Sequence, residues 1–135
     1  MPRPFFSPAR TRGARLVFAA LLVITASNHG RLAAAGAGNV TRHEVFVGLN
    51  VALALLLVAR PRWALGPAAL LSAQQLYSHG SDLLESIEAR RHGAADFDWA
   101  SVGVLVFFPA LLTLLVVERR RAGTPEPPRA APPGS

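Results

Sequence analysis

Cysteine and lysine are absent from this 135-residue chain, and methionine and tyrosine occur once each. The missing cysteine excludes disulfides, iron–sulfur clusters, thiolate zinc sites and thiol nucleophiles. The missing lysine excludes a Schiff base and the phosphate-binding lysine of a P-loop. Neither Gly-x-Ser-x-Gly nor His-Glu-x-x-His occurs, so two common hydrolytic signatures are missing too. All 14 basic residues are arginine; against 8 acids they leave a net charge of +6. Apolar residues fill 51% of the chain, and the mean hydropathy is +0.32. That excludes disorder along the whole length, and the size is that of one domain.

A strong positive charge usually suggests nucleic acid, but the arrangement here does not. A nucleic-acid reader carries a basic face on a soluble domain. In this chain the arginines bracket long apolar runs and barely enter them. The expected partner is therefore a lipid bilayer, with no nucleic acid. Four runs stand out. The first covers residues 16–27 and continues through Asn28-His29-Gly30-Arg31 into the small-residue stretch 32–40. The second is 45–59, which Arg60 extends by snorkelling. The third and fourth, 63–81 and 99–117, each hold nineteen residues without a formal charge. A spanning helix needs about 20 predominantly apolar residues. Four such runs leave too little polar surface to solvate a globule.

These runs predict an all-α membrane protein, a four-transmembrane-helix up-and-down bundle. The spans fall at residues 15–36, 43–60, 63–88 and 99–118. A basic segment, 1–14, precedes them, and a disordered Pro-rich tail, 122–135, follows. The first run also has the parts of a signal peptide: a basic start, an apolar stretch, and Ala33-Ala34-Ala35-Gly36 as a cleavage region. Asn28, His29 and Arg31 interrupt the approach to that region, which favours a retained span. With the N-terminus inside, ten arginines fall on the cytoplasmic side and four outside, as the positive-inside bias requires. Both termini are then cytoplasmic. The arginine-only, alanine-rich composition suits a high-GC bacterium and its inner membrane. Trp63 and Trp99 stand at span boundaries, where indole rings anchor. Asp98 is placed to cap the fourth helix, Gly93 to end the third, and Pro109 to kink the fourth.

The third run carries the most informative pattern. Ser72, Gln75, His79, Asp82 and Ser86 recur at alternating spacings of 3 and 4, so they share one helical face. Polar groups face hydrocarbon only at a cost, so this stripe should point into the bundle. The first span ends in Asn28 and His29, and the second opens on His43 with Asn50 two turns beyond. Together Asn28, His29, His43, Asn50, Gln75, His79 and Asp82 define a candidate polar pocket on the outer side. It reads as hydrogen-bonding glue between helices, as a small-ligand or lipid-headgroup pocket, or as metal or haem ligation through a pair such as His29 and His79. Asp82 and Glu85 could share a proton, or form a solvated acidic rim.

Several features together resemble the small four-helix bacterial inner-membrane proteins that include the DoxX-like group. They are the Arg-rich start, Asn28-His29-Gly30-Arg31 closing span one, the Arg60-Pro61-Arg62 hairpin, and Phe107-Phe108-Pro109 in a last span ending on Glu-Arg-Arg-Arg. The likeness covers residues 15–121 and is architectural. For that group it implies quinone-coupled redox chemistry, but it assigns no residue here. The leading expectation is a non-enzymatic accessory or partner-binding membrane component, associating with other membrane proteins or with itself and needing no cofactor. Two alternatives stand beside it. One is a quinone- or haem-associated redox protein using the outer histidines. The other is a small-molecule carrier, which four short spans could form only as an oligomer.

Overall fold

A computed structural model describes residues 8–93 and 97–123. Four helices follow one another: α1 (Pro8–Ala34), α2 (Val40–Ala59), α3 (Leu65–Arg91) and α4 (Trp99–Ala122). A 3-10 turn, Pro61–Trp63, links α2 to α3. No strand occurs among the described residues. The expected Pro-rich tail falls, beyond Gly123, outside the described residues, as do Arg3 and Asp96.

Local sequence sets the boundaries. α1 begins at Pro8, seven residues earlier than the first expected span, because Arg10, Thr11 and Arg12 continue the helix rather than stand apart as a tail. Its C-terminus closes on Gly36, whose φ of +65° only glycine adopts at little cost. The amides of Gly36 and Ala37 return to the carbonyls of Ala33 and Leu32, the paired bonds of a Schellman motif. Asn39 then caps α2, its side chain accepting the Arg42 amide at 3.0 Å. Pro61 opens the 3-10 turn, which delays α3 to Leu65 and leaves Pro67 in the first turn of α3. α3 ends at Arg91, with Gly93 at a φ of +72°. Asp98 caps α4, as its position in the sequence suggests. α4 runs through Pro109 as a single helix.

α1 packs along α2 and α3 along α4, and the two hairpins close into a bundle. Phe18 meets Phe107 edge-on at 5.1 Å, joining α1 to α4. The shared core includes Leu22, Leu53, Leu57, Phe108, Leu111 and Leu115. Ala64 and Ala68, fully buried at the start of α3, let that helix approach its neighbours closely. Many large apolar side chains point outward instead, among them Leu21, Ile24, Leu55, Val58 and Val106. That is the arrangement of a protein whose solvent is hydrocarbon.

Among the described residues three helices are long and apolar enough to cross a membrane: Ala9–Ala34, Val40–Ala59 and Trp99–Ala122. They point to a membrane protein. α3 is equally long but is not among them. Gln74, Gln75, Ser78, His79, Ser81 and Asp82 dilute its apolar content. The bundle has two distinct ends. The terminus end holds the start of α1, the α2–α3 link and the end of α4. The loop end holds the α1–α2 and α3–α4 connections.

Asn50 lies in the core with no exposure. Its amide nitrogen donates to the Phe46 carbonyl at 2.8 Å, while its Oδ1 has no partner among the described residues. An unmet buried acceptor costs about 1–3 kcal/mol. Asn50→Leu should therefore raise the midpoint of thermal unfolding in detergent, whereas Leu57→Ala should lower stability by about 2–5 kcal/mol. A fall with Asn50→Leu comparable to that with Leu57→Ala would show that the amide is needed.

Candidate functional site at the loop end

Polar side chains bridge the helices around the loop end. His29 on α1 and His43 on α2 approach Nδ1 to Nδ1 at 2.9 Å. One ring must donate and the other accept, so at least one of the two is neutral. The His29 ring also stacks on Phe46, with centroids 5.2 Å apart. Arg42 on α2 donates to the Ser78 hydroxyl on α3 at 2.6 Å, and its guanidinium lies over the Phe46 ring. His79 on α3 meets the Ser101 hydroxyl on α4 at 2.9 Å. The Ser101 hydroxyl in turn donates to the Asp98 carboxylate. These contacts join α1 to α2, α2 to α3, and α3 to α4. The remaining pair, α1 and α4, is joined at the terminus end by Arg15 and Glu118 at 3.3 Å. Every neighbouring pair around the bundle therefore has a polar bridge.

The residues expected to form one pocket are distributed differently. His29 and His43 come together, and His79 lies on the next bridge. Asn50 and Gln75 are buried along the core, with Ser72 beside Gln75 on the same helix face. Ser72 donates back to the Ala68 carbonyl at 2.6 Å, a bond within its own helix. Asn28 is exposed. Asp82 is exposed as well, with an oxygen 3.9 Å from His79 Nδ1. Glu85 is also exposed. His92 pairs with Glu88 at 3.2 Å on the surface. His29 and His79, considered above as ligands of one metal or haem, engage different partners. Among the described residues no group of three or more His, Asp or Glu side chains is placed to hold a metal ion. A shallow hollow of about 380 Å³ lies beside the histidine pair, lined by Gly30, Ala33, Ala34, Glu44 and Val47.

Five participants escaped the reading from sequence. Ser101 is almost fully buried, yet in sequence it is one small residue in an apolar run. The signal was its position three residues after the cap Asp98, where a cap's partner belongs. Arg42 was counted only as a loop charge, and Ser78 sits one residue off the heptad stripe. Arg15 and Glu118 are 103 residues apart in sequence, and no local pattern pairs them.

Asp98 lies just outside the fourth apolar helix. Bonds from the Ser101 hydroxyl, then from the Ser101 amide, hold its carboxyl below the usual aspartate range. A depressed carboxylate adds stability that is complete above about pH 4, the unfolded value, and is lost as pH falls through the lower folded value. The α3–α4 connection should therefore loosen under acid, and Asp98→Asn should remove that part of the pH dependence. Hydrogen exchange at residues 99–102 between neutral and acid pH reads this out. An identical acid response in Asp98→Asn would contradict it. No family model, curated protein or solved structure matches this chain.

Proposed function

We propose that this chain is a four-pass membrane protein acting as a non-enzymatic, partner-binding component, docking through the outward face of α3. α2 ends at the terminus end and α4 begins at the loop end, so α3 has to run the length of the bundle between them. It packs along α4, one of the three apolar helices. If α4 crosses a bilayer, α3 crosses the same depth. Eight arginines at the terminus end (Arg10, Arg12, Arg15, Arg60, Arg62, Arg119, Arg120 and Arg121) against Arg31, Arg42, Arg90 and Arg91 at the other favour cytoplasmic termini. The arginine-only, alanine-rich composition suits a high-GC bacterium and thus its inner membrane.

The observation that carries the partner reading is on the side of α3 away from the core. Leu70, Gln74, Tyr77, Ser81 and Leu84 form a second stripe at alternating spacings of 4 and 3. Leu70 is 77%, Tyr77 81% and Leu84 69% exposed. Gln74 is exposed too, and at about 1.5 Å per residue it sits near mid-span. An amide and a phenol facing acyl chains at that depth are costly. A neighbouring transmembrane helix that offers hydrogen-bonding groups removes the cost. This is also why α3 is the least apolar of the four helices: it is built to face protein on both sides.

A second reading, a quinone- or haem-associated redox protein, draws on the His29–His43 pair stacked against Phe46. A visible and ultraviolet spectrum of the protein purified from its own membranes separates the two. A Soret band or an extractable quinone in stoichiometric amount would favour the redox reading.

The partner reading is tested by photo-crosslinking from single positions in native membranes. A crosslinker at Leu70 or Tyr77 should capture one discrete membrane protein, while the same group at Ile24 or Val106 should capture lipid alone. An adduct of twice the chain mass would make the partner a second copy. Gln74→Leu should weaken the association and leave bundle stability within about 0.5 kcal/mol. Equal adducts from all four positions would refute the assignment.

A further inference from the structure

At the terminus end, remote from the α3 stripe, a cleft of about 980 Å³ opens between the start of α1, the Pro61–Trp63 turn and the end of α4. Leu65 and Leu115 lie at its apolar base, and Trp63, 71% exposed, stands at its edge. Among the described residues four arginines and one acid, Glu118, line it, an excess of three positive charges. Glu118 is committed to Arg15; both side chains are largely buried, at 20% and 17% exposure. Arg62, on the turn, and Arg119, on α4, are exposed and have no carboxylate partner among the described residues. The cleft thus combines an apolar base, an interfacial indole and two guanidinium groups from separate elements.

We propose that this cleft binds the headgroup of a phospholipid carrying two phosphates, one taken by Arg62 and the other by Arg119. Guanidinium groups match phosphate oxygens bidentately. Basic pockets at the ends of membrane helices suit doubly anionic headgroups. Trp63 fixes the depth, since an indole prefers the headgroup level. Leu65 and Leu115 offer the first methylenes of the acyl chains an apolar surface. The Arg15–Glu118 pair belongs to the lining and ties α1 to α4, so its role is to hold the flanking helices in place. A headgroup with one phosphate and an ammonium satisfies one arginine and brings a positive charge toward the other, which disfavours it. This inference rests on the chain lying in a bilayer and not on what docks against α3.

Native mass spectrometry of the intact protein in detergent tests it, with cardiolipin, phosphatidylglycerol, phosphatidylethanolamine and inorganic pyrophosphate as probes. Cardiolipin adducts should persist at about tenfold lower lipid concentration than phosphatidylglycerol adducts. Arg62→Gln with Arg119→Gln should abolish that preference, while Arg31→Gln at the other end should keep it. Raising the ionic strength should weaken retention by the unaltered protein, a readout independent of how the double variant folds. The proposal fails if cardiolipin and phosphatidylglycerol bind alike, or if the double variant retains cardiolipin as the parent does. It also fails if pyrophosphate displaces the lipid, which would make the site one for a free anion. Failure here leaves the crosslinking pattern at Leu70 and Tyr77 unaffected, so the two readings fall separately.

Discussion

Hydrocarbon gives a polar side chain nothing to bond, so each polar group in these apolar helices must find its partner in protein, on its own helix as Ser72 does or across to a neighbour. The ring of bridges follows from that constraint. His29–His43, Arg42–Ser78, His79–Ser101 and Arg15–Glu118 each span a different pair of neighbouring helices. Lipid tails are as apolar as leucine, so burying leucine in the bundle gives little preference for one helix neighbour over another. Close packing of small residues such as Ala64 and Ala68 supplies the fit, and the bridges supply the order of the helices. Interhelical hydrogen bonds in membranes are worth about 0.6 kcal/mol each on average, so the ring specifies arrangement more than it adds stability.

The bridges are unevenly placed, and this makes the two ends of the molecule unlike. Three of them cluster at the loop end, where imidazoles, hydroxyls and the Asp98 cap form connected pairs. The terminus end has one ion pair and an open cleft rimmed by arginine. α3 lies between these ends and faces protein on one side with Ser72 and Gln75. On the other side it leaves Gln74 and Tyr77 exposed.

Much of this was legible in the sequence for identifiable reasons. Four helices followed from four apolar runs. Their ends followed from Asp98 and Gly93, because caps are local chemistry. The inward direction of Ser72 and Gln75 followed from 3–4 spacing, because a helix face is also local. The status of α3 was less legible. Counting formal charges makes residues 63–81 look like a span, but Gln74, Gln75, Ser78 and His79 lower the hydropathy of α3 without entering a charge count. The pocket was only partly legible for a different reason. Spacing places Asp82 on the same face as Gln75, but the buried positions of α3 end at Gln75, and Asp82 and Asn28 are exposed. Long-range pairs such as Arg15 with Glu118 carry no local signature at all.

The claim on which the rest depends is that α3 traverses the same thickness as its three more apolar neighbours. The chain has no cysteine, so single cysteines can be introduced at Ala37, Gln74, Gly93 and Ala122 without first removing any. Labelling with a membrane-impermeant maleimide in oriented vesicles is then the direct measurement. Positions 37 and 93 should react from one side, position 122 from the other, and position 74 should be protected from both. Positions 37 and 93 reacting from opposite sides, or position 74 reacting freely with aqueous reagent, would contradict it.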